Sequence, residues 1–110
     1  MKLIYIAGKY LGEGDWETYN NIHKAREAAV KLWAEGWAVI CPHSNSSFMG
    51  GAGERDRGNP DGEWRKFLDG DMEIISRCDV IYMLDNWQDS MGAKLELAAA
   101  ERLGIDVMYE

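Results

Sequence analysis

The sequence predicts an α/β fold. The expected form is a three-layer, Rossmann/flavodoxin-like open parallel sheet of four to five strands, order 2-1-3-4, with helices on both faces. Three observations carry this expectation. Short apolar runs recur along the chain without polar alternation, as in strands buried on both faces. Each is separated from the next by a segment whose apolar residues have helical spacing. Glycine closes two of those helical segments, at Gly36 and Gly104.

The elements follow in order. Residues 2–8 form a first strand ending in glycine, and residues 9–16 a loop containing Gly12 and Gly14. Residues 18–35 form a long helix with its apolar stripe at Ile22, Ala25, Ala29 and Leu32. Residues 37–41 are a second strand, ended by Pro42. Residues 44–62 are irregular and glycine-rich, and a loop of that length in so small a domain is expected to be a lid or substrate wall. A second helix over 63–77 carries Trp64, Phe67, Leu68, Met72 and Ile75 on one stripe. Residues 80–84 are a third strand and 85–90 a loop. Ser90 is a plausible N-cap for a third helix over 91–103, and residues 105–109 form the last strand.

With 110 residues and 12.5 kDa, the chain is read as one domain over 1–110. Nineteen acids against twelve Lys and Arg give a net charge of -7, which argues against a nucleic-acid polymer or an anionic membrane as partner. No apolar run is long enough to span a bilayer, and the opening run is too short for a signal peptide. Cys41 and Cys78 are too few and too far apart for a disulfide framework or a zinc site. Asp69, Asp71, Asp79, Asp85 and Asp89 are spread over several elements, so no metal is expected, and no other cofactor. A cytoplasmic protein is the expectation.

In a 2-1-3-4 sheet the connections reverse direction between strands 1 and 3, and ligands bind there, beyond the carboxyl ends of the strands. Residues 8–10, 41–45 and 85–92 reach this crevice. Two carboxylates sit where a simple core would not place them. Asp71 follows Phe67 and Leu68 and precedes Ile75 on an apolar stripe, where desolvation would raise its pKa and suit it to general acid work. A carboxylate at the stripe's edge, bonded to an amide or an arginine, would fit the same spacing. Glu96 lies among Ala93, Ala100 and Leu103, on a helix face small enough to approach the sheet closely; a surface glutamate beside Lys94 and Arg102 is the alternative. Ser90 and Gly92, after Asp89, open a helix whose free N–H groups suit a phosphate, a carboxylate or a sugar hydroxyl. Tyr5 and Tyr10 can each present a phenol or pack in the core. Trp87 can stack on a base or close the sheet's end. Cys41 and His43 raise a thiolate nucleophile, for which no third partner is evident. The turn Gly8-Lys9-Tyr10-Leu11-Gly12 is neither a P-loop nor a dinucleotide fingerprint.

Taken together, Ile4-Tyr5-Ile6-Ala7-Gly8, Asn20-Asn21, Cys41-Pro42-His43, Asp71 with Asp79, and the stretch from Trp87 to Glu96 resemble the nucleoside 2-deoxyribosyltransferase-like family. That family includes deoxynucleoside 5'-monophosphate N-glycosidases and small phage-associated relatives. The resemblance covers nearly the whole chain, and Ser90-x-Gly92-x-x-x-Glu96 is its most specific part. It implies a retaining attack on an N-glycosidic bond of a (deoxy)nucleoside or its 5'-monophosphate. Glu96 would be the nucleophile at C1', Asp71 the acid that protonates the leaving base, and Tyr5 the group that steers Glu96. Retaining chemistry places two such carboxyls about 5–5.5 Å apart. Gly8, Lys9, Tyr10, His43, Trp87, Asp89, Ser90 and Gly92 would bind the substrate. Ser90 stands where the transferases tend to carry an acid for the 5'-hydroxyl, which favours a 5'-phosphate. The glycosidases' Gly-Ser-x-Arg phosphate turn is here Gly8-Lys9-Tyr10-Leu11, leaving Lys9 as its substitute. The alternatives are a nucleotide-binding or sensing module that cleaves nothing, and an interaction protein working through the 44–62 loop. A homodimer or larger homo-oligomer is expected, with Trp33, Trp37 and Trp64 offering apolar surface.

Overall fold

The apolar runs form the expected sheet. In a computed structural model, which describes residues 1–47, 49 and 63–110 (Glu63 by its backbone alone), the strands are β1 (Leu3–Ala7), β2 (Ala38–Ile40), β3 (Val80–Met83) and β4 (Asp106–Tyr109). All described pairings are parallel and the order is β2-β1-β3-β4. The central strand β1 aligns Tyr5 with Ile40 on one side and Ile81 on the other.

Alternation along β1 sorts its side chains into two cores. Ile4 and Ile6 pack with Ala25, Ala28 and Leu32 of helix α1 (Asp15–Ala34). Tyr5 and Ala7 face the opposite side, towards Ile75 of α3 (Glu63–Ile75) and Ala93, Leu97 and Ala100 of α4 (Met91–Leu103). The small α4 residues let that helix lie close to the sheet, which is what brings Glu96 over Tyr5. Helices therefore cover both faces, as predicted.

The element ends differ from the expected ones for local reasons. Helix α1 starts at Asp15, because Thr18 Oγ accepts the Gly12 N–H at 2.9 Å and donates to the Gly14 carbonyl at 3.2 Å, fastening the turn before it. Asp15 and Glu17 in its first turn complement the helix dipole. Pro42 does end β2, but it then serves as the first residue of a one-turn helix, α2 (Pro42–Asn45), in a stretch expected to be irregular. Residues Trp87–Asp89 form a short 3-10 turn. Ser90 caps α4 as expected, its Oγ accepting the Ala93 N–H at 3.1 Å. Gly104 closes α4 at φ 73°, a conformation that favours glycine.

The proposed lid over 44–62 falls mostly on residues 48 and 50–62, outside the described part of the chain. Among the described residues no helix is long and apolar enough to cross a membrane, and no cluster of three His, Cys, Asp or Glu could hold a metal ion. Of the three tryptophans expected to offer surface, Trp64 is buried, Trp37 packs against the α1 core, and only Trp33 is exposed.

Candidate active site

A cavity opens at the carboxyl ends of β1 and β3, at the switch point. Gly8, Lys9 and Tyr10 after β1, Pro42 and His43 of α2, and Ser90, Gly92 and Glu96 of the α4 segment line it. Helix α3 closes the remaining side with Trp64, Phe67, Leu68 and Asp71. Those four follow i, i+3, i+4, i+7 spacing, so one helix face supplies an apolar wall ending in a carboxyl. The sequence shows the stripe and the carboxyl on it, but Trp64, Phe67 and Leu68 are not among the expected site residues; the one signal is that Asp71 shares their face.

Glu96 lines the cavity, and behind it Tyr5, which does not itself line the cavity, donates its hydroxyl to Glu96 Oε2. Tyr5 is fully buried and Glu96 is 6% exposed. Burial raises the Glu96 carboxyl from 4.5 to about 8, the Tyr5 hydrogen bond opposes this, and the nearby Asp71 charge adds to it. Burial likewise raises Asp71 from 3.8 to about 6, and its contact with the Tyr5 hydroxyl pulls it back down. Tyr5 itself is pushed well up by burial and by both carboxylates, so it stays a phenol and a donor. Between roughly pH 6 and pH 8 the pair of carboxyls thus holds one proton and one negative charge.

His43 is 4% exposed, and its Nε2 lies 3.0 Å from the Lys9 carbonyl. A carbonyl only accepts, so Nε2 carries the proton. Burial lowers the His43 pKa, which leaves a neutral ring whose Nδ1 is an acceptor. That Nδ1 is buried without a hydrogen-bond partner among the described residues. The same Lys9 donates its backbone N–H to Asn86 Oδ1 at 2.9 Å. Its ammonium reaches Glu17 at 2.9 Å, a bond that raises Lys9. Gly8 is fixed by close approach: a Cβ there would meet Leu84 Cδ1 at 2.6 Å and Asn86 Oδ1 at 2.9 Å.

The cavity gathers Tyr10, Ser90 and Gly92 with the residues above, but not Trp87 or Asp89. The Trp87 ring packs in the core under α3 and α4 and lies 6.2 Å from Tyr109, closing the end of the sheet. Asp89 is exposed on an outer groove with Gln88, Met91 and Lys94, from which its charge still acts on Lys9. Asp79 serves the fold, accepting the Leu3 N–H at 2.8 Å. Cys41 Sγ accepts from the Ser44 hydroxyl and meets His43 only through the latter's backbone, the His43 ring being turned to the Lys9 carbonyl, and burial raises the thiol, so no thiolate–imidazole pair forms.

Comparison with known proteins agrees with this architecture. A 2-deoxyribosyltransferase from Bacillus psychrosaccharolyticus, described as a biocatalyst for synthesis of antiviral and antitumoral nucleosides, superposes with a TM-score of 0.61 and 29% sequence identity. The match covers 97% of this chain and 70% of that one. No functionally curated protein matches the sequence. A domain family of unknown function, DUF4406, matches residues 2–109. The chain, with a 2-deoxyribosyltransferase-like α/β fold, belongs to that DUF4406 family.

Proposed function

We propose that the protein cleaves or transfers at the N-glycosidic bond of a (deoxy)nucleoside or its 5'-monophosphate, through a covalent glycosyl intermediate on Glu96. The observation that carries this reading is the buried Tyr5–Glu96 hydrogen bond with Asp71 beside it, in a cavity walled by aromatic side chains. Two carboxyls that share one proton near neutral pH are the acid and nucleophile of a retaining mechanism.

Glu96 attacks C1' with a carboxylate oxygen, and the C1'–N bond breaks with its electron pair going to the base. The Asp71 proton moves onto the base as it leaves. At rest the shared proton sits mainly on Glu96, the carboxyl raised further by burial, and the Tyr5 hydrogen bond lowers the cost of moving it to Asp71 in the form that reacts. Positive charge developing at C1' draws the negative charge to Glu96 and the proton to Asp71 as attack proceeds. Water or a second base then attacks C1', releasing the Glu96 carboxylate and returning a proton to Asp71. Trp64 and Phe67 offer the apolar surface for a base, and the orphaned Nδ1 of His43 an acceptor for an N–H or O–H of the ligand.

The test is incubation with a panel of free nucleosides and 5'-monophosphates, followed by chromatography for released base. Both forms belong in it, because Lys9 is already paired with Glu17 and Ser90 already caps α4. Release of base by the wild type, its loss in Glu96→Ala, and a glycosyl adduct on Glu96 in quenched reactions are the expected results. Binding with intact ligand recovered would instead make the protein a nucleotide-binding module.

A further inference from the structure

We propose that two copies of the chain associate through the outer face of α1, with the two α1 helices packed antiparallel. Helix α1 turns Ile22, Ala25, Ala28 and Leu32 to the sheet, which accounts for its inner face. Its outer face carries a second stripe: Trp16, Tyr19, His23, Arg26, Val30 and Trp33, all exposed. Their spacing alternates three and four residues along the whole helix, the periodicity of a helix–helix seam. Trp16 is 75% exposed, Tyr19 52%, Val30 70% and Trp33 55%. Trp16 stacks on Tyr19 at 5.8 Å and Tyr19 on His23 at 6.2 Å, so this half of the stripe presents one continuous surface of rings to solvent.

The stripe is self-complementary, which selects a second copy as the occupant. The residue numbers of its end, intermediate and central pairs are symmetric about a point between Lys24 and Ala25. A two-fold axis there sets Trp16 against Trp33 of the second copy, Tyr19 against its Val30, and His23 against its Arg26. Glu27, 3.2 Å from His23 within its own helix, falls one turn from Arg26 of the second copy and offsets that cation. The apolar ends and the charged centre therefore meet their own kind in antiparallel packing. A receptacle is also present. Arg26, Val30 and Trp33 border a groove that continues onto the sheet-edge strand β2 at Val39, Ile40 and Cys41. The two-fold delivers Trp16 of the second copy to this groove.

The area is in the range a specific dimer needs. An aromatic side chain contributes roughly 150–250 Å² when fully covered, so the three exposed rings leave roughly 300–450 Å² uncovered per copy. Both copies, with Val30 and the flanking stems, bring this to about 1,000 Å², the lower bound for a specific interface.

Sedimentation velocity on the whole chain tests this. The wild type is expected to sediment as a dimer at micromolar concentration. Trp33→Glu and Trp16→Lys, each alone, are expected to weaken association at least about 30-fold. Combining both in one chain is expected to weaken association by clearly less than the product of the two single losses, because antiparallel packing sets the introduced ammonium of one copy against the introduced carboxylate of the other. Circular dichroism reports whether each variant keeps its fold, and Val30→Glu is a further single variant should one of them lose it. A monomeric wild type at 100 micromolar (about the upper end of the assay), single variants that sediment unchanged, or a combined variant whose loss equals or exceeds the product of the single losses would each overturn the proposal. None of these outcomes depends on the glycosidic reaction.

Discussion

Replacing Glu96 by glutamine is expected to stabilise the fold, by an amount that grows with pH. The native carboxyl holds its proton up to about 8, whereas in the unfolded chain it ionises near 4.5. A raised carboxyl pKa means that the native state binds more protons than the unfolded one across that window, so wild-type stability falls as pH rises through it. Glutamine keeps an acceptor for the Tyr5 hydroxyl and carries no charge. With ~1.4 kcal/mol per pH unit, the variant's advantage is under about 1 kcal/mol at pH 5, about 3 at pH 7, and levels off near 5 above pH 9. Urea unfolding followed by tryptophan fluorescence measures it. A difference of about 3 kcal/mol moves the midpoint by roughly 1–3 M. An equal gap between the two proteins at pH 5 and pH 9 would refute the reasoning, as would a variant less stable than wild type at pH 9. Either result would mean that Glu96 is not desolvated as its burial implies.

Four further outcomes follow from the same site. The pH profile of the proposed base release is expected to be bell-shaped with limbs near 6 and 8, the steps in which the Asp71–Glu96 pair loses its protons. A rate flat between pH 5 and 9 contradicts it. Tyr5→Phe removes the donor that favours charge on Glu96, so turnover is expected to fall roughly 10²-fold or more and the alkaline limb to move to higher pH. Steady-state kinetics across pH checks both. Gly8→Ala forces a Cβ against Leu84 and Asn86 and is expected to cost about 1–3 kcal/mol in urea unfolding. Ser90→Ala, losing the bond to the Ala93 N–H, is expected to cost about 1 kcal/mol in the same assay.

The sheet was legible because each strand is a short apolar run bounded by a break, as at Gly8 and Pro42, and because such runs alternate with helices. Asp71 and Glu96 stood out for the same reason: a carboxyl on an apolar or small-residue stripe violates the local pattern. Distance along the chain hid other features. Nothing local says that the Trp87 ring meets Tyr109, or that Asp89 turns outwards from a helix start whose next residue lines the cavity. The α3 stripe was read as core because a site wall and a core stripe have the same period, and only the third dimension separates them. Helix α2 was missed because a single turn after Pro42 carries no periodicity to detect.

The way residue 9 is fastened has an evolutionary consequence. Its amide is held by Asn86 from the end of β3 and its carbonyl by His43 from α2, so three chain segments are joined through one peptide backbone. The side chain has no part in that joint. Any residue able to adopt the same backbone shape would leave the cavity wall standing. The charge at position 9 can therefore change without moving Tyr5, Asp71 or Glu96, so under the proposed function ligand preference and reaction chemistry can be altered separately on this scaffold.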